Sequence, residues 1–459
     1  MRMFRSIIKS TAASIILLLI FNTVYAQEWH QKKLIDSLLD SKHYKADAPG
    51  ISFCIAEHGL VVYERQFGMA NIKKTIPVNA DTRFNVGSIT KQFTAACIHL
   101  LEEQGKLNRN DSIQKYIPEL PSFGNTITLN HLLAHTSGIP DHMEILGLKR
   151  NYSTIRLDPG YTIEFLKKAP FLTFKPGENF AYCNTGYMLL AITVARVSGM
   201  SIQQFAQKNI FIPLNMKSAI YTNTEADGMP DGTVSYSLKN SKYKVKKKPQ
   251  RNALGSTGVF GTLRDFVKWN QNLSDNQLGE KHKDLTENMQ KTYYLNDGSS
   301  INYGGGLILK PFKGNKCIEH AGGWNNFLAQ FRTLPNTGIT VLIASNTGAN
   351  SPFAVCDEIS DLLLHQKLQL KDTPGLKITA PITLAQIAGN YMDENNIIRQ
   401  IKLENGSFEI YDFKKPKKVL TTLKFEGIRG DSILLLKDNN EDRVEVKVNE
   451  DKKVIGFSW

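Results

Sequence analysis

Cysteine is scarce in this sequence. Only five are present, an odd number that leaves at least one thiol unpaired, and their spacing is not that of zinc ligands. Most of them lie inside apolar runs, where a cysteine behaves as a small buried hydrophobe. The sequence therefore predicts neither a disulfide framework nor a zinc–cysteine site. The five are Cys54, Cys97, Cys183, Cys317 and Cys356.

Sequence signatures of cofactor binding are also missing. There is no Walker loop, and no G-x-G-x-x-G follows a predicted strand. The glycine-rich stretch from Gly255 to Gly261 lacks the lysine of a phosphate loop and is interpreted as a close-packed turn. His131 and His135 lie four apart, as zinc ligands on a helix can. No glutamate lies between them, and His135 falls in Leu132–Pro140, which is interpreted as a helix end and turn. No cofactor or metal is predicted.

Long apolar runs are absent except near the N-terminus. Residues 1–26 combine a basic start, an apolar run over residues 12–21 and a small-residue end at Ala26, the pattern of a secretory signal. The run is too short to span a bilayer, and no cysteine follows it to support a lipoprotein. We expect an exported, periplasmic or secreted chain, cleaved near Ala26, without a stable membrane span.

Acidic residues are fewer than basic ones, 43 against 56, which gives a net charge of +13. The signal carries three of the basic residues and no acidic one, so the excess persists without it. Much of the excess is local, in Lys239–Arg251 and Lys414–Lys418. Basic runs can bind nucleic acid or anionic surfaces, but no stacking motif lies beside these. We therefore predict solvated loops and no nucleic-acid partner, with attraction to an anionic envelope polymer as the alternative.

The order of the predicted elements indicates an α+β fold. Strands at both ends, with helices between them, predict one sheet built from both ends of this region and a helical insertion. The predicted strands are 51–56, 60–67, 305–309, 327–334 and 340–345, and the predicted helices are one beginning at Ser88, then 127–135, 187–197, 202–209 and 353–365.

Past Leu370 the composition changes. Thr373-Pro374-Gly375 and Pro381 indicate a linker. Short alternating strands follow, clearest at 444–448 and 455–459, and Asn405-Gly406 is a hairpin signal. The predicted organisation is a signal peptide over 1–26, a catalytic domain over 27–370, and a small antiparallel β domain with its linker over 371–459.

Ser88 and Lys91 stand at the start of an apolar run with helical period that ends at Gly105. Residues three apart share a helix face, so the Lys91 ammonium can reach the Ser88 hydroxyl. The positive end of the helix dipole favours an alkoxide there. Such a pair can activate a serine, whose free pKa is too high for unaided attack. Alone the signal is weak, because an N-cap serine beside a solvated lysine has the same spacing.

Two further segments carry groups that could act on the same serine. Tyr182 and Asn184 open another apolar helix. A nearby lysine can lower the pKa of a tyrosine enough for it to act as a base. The Asn184 amide can bind a substrate carbonyl and the lysine together. The small residues of the segment 320–323 would let a substrate lie along a strand edge, with a backbone N–H free for an oxyanion.

Together these segments resemble the serine β-lactamase and penicillin-binding protein superfamily, particularly the branch related to class C β-lactamases. The resemblance covers roughly Pro49 to Gln366 and includes Leu132–Pro140 and the segment 255–269. It implies a β-lactamase-like antiparallel sheet flanked by helices, with a helical insertion, followed by a small C-terminal β domain. The three motifs occur in order as Ser88-x-x-Lys91, Tyr182-x-Asn184 and His320-x-Gly322.

The resemblance also implies a role for each residue. It implies three catalytic roles: a nucleophile, its proton partner and a general base. It also implies that polar groups and an oxyanion hole bind the substrate. The catalytic residues are Ser88, Lys91 and Tyr182 in that order; the substrate-binding residues are Asn184, His320 and Gly322; the oxyanion hole is formed by the N–H groups of Ser88 and Gly323.

His320 stands where many relatives have lysine, which resembles D,D-peptidases, D-aminopeptidases and esterases of the superfamily. The implied function is an exported serine hydrolase acting through an acyl-serine on an amide or ester: a D-amino peptide, a peptidoglycan-derived peptide or an ester, with weak β-lactam turnover. A histidine with a pKa near 6.5 predicts activity that changes between about pH 5.5 and 7.5. The alternative is a non-catalytic sensor of peptidoglycan or β-lactams.

Overall fold

A computed structural model describes residues 31–147, 158–222, 231–245, 253–278 and 282–370, together with seven strands between 389 and 458. The chain divides into two compact units, Met1–Asp361 and Leu362–Trp459. The predicted signal, the predicted linker signals at 373–375 and 381, and the turn Asn405-Gly406 lie outside the described residues.

The first unit is a mixed structure of helices and antiparallel strands. Its strands are β1 Ile51–Glu57, β2 Leu60–Phe67, β3 Met69–Asn71, β4 Ile76–Pro77, β5 Phe84–Asn85, β6 Ile220–Tyr221, β7 Tyr236–Lys239, β8 Lys242–Val245, β9 Val259–Gly261, β10 Tyr293–Tyr294, β11 Ser300–Ile301, β12 Ile318–Trp324, β13 Phe327–Leu334 and β14 Ile339–Ser345. Its helices are α1 31–40, α2 Thr90–Glu103, α3 Leu129–Leu133, α4 His142–Gly147, α5 Pro159–Lys168, α6 Asn184–Ser198, α7 Ile202–Ala206, α8 Leu263–Asp275, α9 Leu285–Met289 and α10 Pro352–Leu370, of which the last runs into the second unit. Single 3₁₀ turns occupy Gly87–Ile89, Ile113–Lys115 and Pro335–Thr337, and a π-helical turn, Gln207–Phe211, follows α7.

The main sheet has five antiparallel strands in the order β12-β13-β14-β1-β2. Two strands come from the start of the unit and three from its end, which confirms the prediction of one sheet built from both ends. Strand β14 lies in the middle because Ser345 pairs with Ile51 on one side and Leu328 on the other. Strand β12 is at an edge of this sheet, where Glu319 exchanges two backbone hydrogen bonds with Ile308.

Helix α2 is the core of the helical insertion. Its residues from Thr90 to Leu101 are all buried, and it packs against α6, α7 and α9. The Phe93 and Trp269 rings lie 4.6 Å apart, and the Trp269 indole N–H donates to the Gln92 amide oxygen at 2.7 Å. A helix buried on all sides gives Ser88 and Lys91 a rigid support.

Two predicted elements differ from the structure. The segment 305–309 is not a strand: Gly306 has a φ of 74°, and its Cα lies so close to α2 that a Cβ there would meet the Gln92 nitrogen at 2.6 Å. This packing bends the chain into a turn with only isolated bridges. The helix predicted over 127–135 covers only Leu129–Leu133, because Thr128 caps its start and His135, with a φ of 59°, ends it.

The second unit contains a seven-stranded antiparallel meander. The residues on either side of Asn405-Gly406 pair with each other, Glu404 with Ser407, as the hairpin signal predicts. Contacts between the first and last strands show that the sheet curls. Its strands are β15 Gly389–Met392, β16 Ile398–Glu404, β17 Ser407–Asp412, β18 Lys415–Arg429, β19 Ser432–Lys437, β20 Arg443–Val448 and β21 Val454–Ser458.

All five cysteines are free and buried, as their apolar surroundings predict. Within the described ranges no single helix is long and apolar enough to cross a membrane. Helix α6 and the segment Ile202–Phe211, which meet at an angle of 77°, are together long and apolar enough, judged by length and composition alone.

Candidate active site

Ser88 lies in a sharp turn between β5 and α2. Strand β5 pairs with β9, and the Asn85 side-chain oxygen then accepts the Gly87 N–H at 2.8 Å. Gly87 has a φ of 52°, in the left-handed region that favours glycine. The turn continues as the 3₁₀ helix Gly87–Ile89 and leads into α2, so a half-buried Ser88 stands at the start of a buried helix.

Glycines let this turn lie directly against the edge strand β12. A Cβ on Gly87 would lie 2.4 Å from the Gly323 nitrogen, and one on Gly322 would lie 1.9 Å from the Val86 carbonyl oxygen. The structure therefore brings Ser88 and Gly323, the predicted oxyanion pair, onto adjacent backbone segments. Gly322 is buried against Val86, so its place is beneath the turn. The substrate-binding role of Gly322 stays a prediction.

Lys91 is fully buried and makes three hydrogen-bonding contacts. Its Nζ lies 2.8 Å from the Asn184 Oδ1, 3.1 Å from the Ser256 carbonyl oxygen and 3.3 Å from the Ser88 Oγ. Burial lowers the pKa of Lys91 to about 7, although Asp141 and Cys183 act in the opposite direction. A substantial fraction of Lys91 is therefore a neutral amine near neutral pH.

The three partners suit a neutral amine at Lys91. The amide oxygen of Asn184 and the carbonyl of Ser256 can only accept, so they take the two N–H bonds of an –NH₂ group. The third partner, the Ser88 hydroxyl, can donate to the remaining lone pair. This arrangement directs the one basic position of Lys91 at the proposed nucleophile.

Asp141 is a residue that sequence reasoning missed. One oxygen of its carboxylate accepts both the Asn184 backbone N–H, at 2.7 Å, and the Asn184 side-chain Nδ2, at 2.9 Å. Its other oxygen accepts the Met143 N–H at 2.8 Å. Because a carboxylate accepts only, it fixes the Asn184 amide with Oδ1 towards Lys91. The position of Asp141 directly after the predicted turn Leu132–Pro140 was the only sequence signal for it.

Tyr182 lies over the Lys91 amine, with Nζ 4.7 Å from the ring centroid, and its ring centroid is 4.3 Å from that of His135, with the two planes tilted by 36°. The residue remains 38% exposed. Burial of the hydroxyl raises the pKa of Tyr182, Asp141 adds to this, and a hydrogen bond with Ser88 opposes it. The expected lowering of the tyrosine pKa is wrong for the free protein: Tyr182 is a protonated phenol beside Ser88.

His320 lies on β12 and is buried. Its Nδ1 lies 2.6 Å from the Ala321 carbonyl oxygen, to which it donates, so the neutral ring accepts at Nε2 from the Tyr303 hydroxyl at 3.1 Å. Burial, and then the Lys91 charge, lower the pKa of His320 to about 4. The predicted titration of His320 between pH 5.5 and 7.5 is therefore wrong. Glu319 does not offset this, because it pairs with Arg332 at 2.6 Å.

His135 connects the predicted turn to the Tyr182 segment. Its Nδ1 accepts the Cys183 N–H at 2.9 Å, and its carbonyl oxygen accepts the Ala181 N–H at 2.9 Å. Burial lowers the pKa of His135 well below its usual range, which keeps Nδ1 free to accept. The two bonds fix the residues directly before and after Tyr182. The geometry therefore agrees with the interpretation of Leu132–Pro140 as a structural helix end and turn.

Within the described residues, no group of three or more His, Cys, Asp or Glu side chains could hold a metal ion. The arrangement of Ser88, Lys91 and Tyr182, with Asn184 held by Asp141, has the geometry that activation of a serine by proton transfer requires.

Comparison with known proteins agrees with this geometry. A model of the Beta-lactamase family matches residues 32–365, most of the chain. The chain belongs to the Beta-lactamase family. Its mixed fold of helices and antiparallel sheets is that of the family, and its relatives place it among β-lactamase-related, penicillin-binding-protein-like hydrolases.

Individual known proteins are similar to this chain over most of their length. Penicillin-binding protein 4* of Bacillus subtilis (strain 168) is 26% identical over 397 residues, covering 82% of this chain and 86% of that protein. The octameric penicillin-binding protein homologue from Pyrococcus abyssi has a TM-score of 0.63 at 25% identity, covering 91% of this chain and 96% of its own. D-amino acid amidase from Ochrobactrum anthropi SV3 shares the fold, with a TM-score of 0.60 at 21% identity and coverage of 74% and 98%.

Proposed function

We propose that this chain is an exported serine hydrolase that cleaves an ester or amide through an acyl-Ser88 intermediate. The observation that carries the proposal is the environment of Lys91: a buried amine whose two acceptor partners leave its lone pair for the Ser88 hydroxyl at 3.3 Å. A positioned base with a pKa near the working pH is the requirement for activating a serine.

In the proposed acylation, the Ser88 Oγ attacks the substrate carbonyl carbon while its proton passes to the Lys91 Nζ. The N–H groups of Ser88 and Gly323 stabilise the oxyanion. The protonated Tyr182 hydroxyl, next to Ser88, gives its proton to the leaving amine or alcohol and is reprotonated from Lys91. Water then attacks the acyl-serine by the reverse sequence. Compared with the roles implied by the sequence, Lys91 becomes the base and Tyr182 the proton carrier.

The proposed substrates are D-amino peptides, peptidoglycan-derived peptides and esters, with slow β-lactam turnover. The name D-amino acid amidase, carried by a protein of the same fold, supports an amide next to a D-residue. The neutral His320 supports weak turnover of β-lactams, because it gives no cation for their carboxylate at pH 7. The predicted signal over residues 1–26 supports export, which fractionation of expressing cells would test.

Active-site labelling tests the proposal. A tagged fluorophosphonate should modify wild-type protein at Ser88, and the Ser88→Ala variant should remain unlabelled. The loss of a nucleophile lowers the rate by several orders of magnitude, whereas the Ser88 side chain caps no helix, so its truncation should leave the fold intact. A folded Ser88→Ala variant that keeps its activity would refute the proposal.

A substrate panel of an aryl ester, a D-alanyl amide, its L-enantiomer and nitrocefin distinguishes the activities. Faster hydrolysis of the ester or D-amide is expected. Equal or faster cleavage of nitrocefin would place the enzyme with β-lactamases proper. Lys91→Ala and Tyr182→Phe should each be strongly damaging and not additive, because they belong to one proton-transfer unit.

A further inference from the structure

A two-stranded hairpin, β7–β8, projects from the body of the first unit. The turn residues Asn240 and Ser241 have φ values of 49° and 57°, the left-handed pair of a tight two-residue hairpin turn. All residues from Leu238 to Val245 are exposed. We call residues 236–245 the basic hairpin.

The register of the basic hairpin separates its side chains by chemistry. Tyr236 pairs with Val245 and Leu238 with Tyr243, while Ser237 pairs with Lys244 and Lys239 with Lys242. Because successive residues of a strand point to opposite faces, one face is apolar and the other carries three lysines. The tip of the hairpin is exposed and packs on no core, so packing does not explain why its apolar and charged side chains lie on opposite faces.

The apolar face is open beyond its root. Leu238 is 53%, Tyr243 37% and Val245 49% exposed, whereas Tyr236 is buried at 2%. Exposed apolar side chains clustered on one face indicate an interaction surface more than isolated ones do.

The other face of the basic hairpin is cationic. Among the residues that the structure describes, none forms an ion pair with Lys239, Lys242 or Lys244. Two lysines directly opposite each other, Lys239 and Lys242, repel and weaken the hairpin. An anionic partner would relieve this repulsion. The exposure of Lys239, Lys242 and Lys244 agrees with the expectation of solvated basic residues; the others, from Lys246 to Arg251, lie outside the described residues.

The root of the basic hairpin is joined to the end of the catalytic edge strand. The Tyr236 carbonyl accepts the Asn326 side-chain N–H at 2.9 Å, and the Tyr236 N–H donates to the Asn346 carbonyl at 2.9 Å. Asn326 lies in the turn directly after β12, which carries His320 and Gly323. A surface bound by the hairpin would therefore lie near the strand that carries His320 and Gly323.

We propose that the basic hairpin docks the enzyme on the surface of an anionic lipid bilayer. A polyanionic glycan would require only the lysines, whereas an amphipathic element with an apolar face and a cationic face fits the boundary between acyl chains and anionic headgroups. This inference does not depend on the proposed hydrolase activity.

Vesicle sedimentation with the purified protein tests the docking. Binding is expected to phosphatidylcholine vesicles that contain phosphatidylglycerol, to weaken with salt, and to be absent with phosphatidylcholine alone. The variant Lys239→Gln/Lys242→Gln/Lys244→Gln should lower the partition coefficient by roughly 100-fold, at about fivefold per lysine. Leu238→Ser/Val245→Ser should lower it at unchanged net charge.

A matched control separates local from general charge. Lys106→Gln/Lys208→Gln/Lys217→Gln removes three other exposed lysines and should bind as the wild type does. The proposal is overturned if this control variant loses as much vesicle binding as the hairpin variant does. It is also overturned if the wild-type protein does not bind anionic vesicles. Unchanged vesicle binding by the Leu238→Ser/Val245→Ser variant also overturns it and would indicate that the hairpin binds a polyanion. Self-association of the wild type that the hairpin variants abolish overturns it too and would indicate that the partner is a second copy of the chain. Unchanged thermal unfolding midpoints confirm that the variants fold.

Discussion

Asp141→Asn is expected to shift the acid limb of the pH profile to lower pH. Asp141 lies across the Asn184 amide from the Lys91 ammonium and raises the pKa of Lys91 against the larger lowering by burial. Removing the negative charge leaves burial less opposed, so the pKa of Lys91 should fall below about 7. Activity that needs neutral Lys91 then persists at lower pH.

The size of this shift follows from the separation of the two charges. Unit charges about 4 Å apart at an effective dielectric constant of about 20 interact by about 4 kcal/mol. The Asn184 amide lies between Lys91 and Asp141, and solvent reaches the half-buried Asp141, so the interaction is weaker and we expect a shift of about one to two pH units. The plateau rate should fall by roughly 10- to 100-fold, because Asn184 loses two bonds to a charged acceptor.

The assay is kcat/KM for an aryl ester between about pH 5 and 10, because this parameter reports the pKa values of the free enzyme. Asp265→Asn is the control: its buried carboxylate accepts the Ser218 N–H at 3.0 Å, away from Lys91. It should leave the acid limb in place. An acid limb in Asp141→Asn that stays where the wild type has it, or moves to higher pH, refutes the assignment of Lys91 as a base whose pKa Asp141 raises.

Three further outcomes are expected. Gly87→Ala should lower the free energy of unfolding by at least about 3 kcal/mol in denaturant titrations, since it adds a clash with Gly323 to left-handed strain; Gly105→Ala, with a φ of 66° and open space around it, should cost only about 1 kcal/mol. The pKa of His320 is about 4 in the folded protein and near 6.5 in the unfolded chain, so its contribution to stability is present above pH 6.5 and is lost as pH falls through 4. His320→Gln should flatten that part of the curve of stability against pH. An NMR titration of the wild-type ring that gives a pKa near 6.5 would contradict the assignment. Tyr303→Phe leaves the His320 Nε2 without its donor and should cost about 1 to 3 kcal/mol, while the acid limb set by Lys91 should stay in place; a shifted limb would show that Tyr303 acts on the proton transfer itself.

The sequence by itself determined most of the main sheet and the helices around the site in the first unit. Apolar period and turn residues predicted the hairpin β1–β2, the helices on either side of the site and the late strands, since each of these elements is long and strongly patterned. The residues that meet around Ser88 were also named, because Ser88, Lys91, Tyr182, Asn184 and His320 occur as ordered motifs whose spacing a local pattern can show.

Only the tertiary structure decided the protonation of these groups. The pKa of Lys91 and that of His320 depend on how completely neighbouring elements bury them, and a spacing of residues contains no information on burial. Asp141 was missed for a related reason. Its partner Asn184 is 43 residues away in sequence, and the two meet only because the turn after α3 packs against the start of α6. The segment around Gly306 has a strand-like pattern but forms a turn, because the Gly306 backbone lies against α2. This contact between residues distant in sequence outweighs the local preference for a strand.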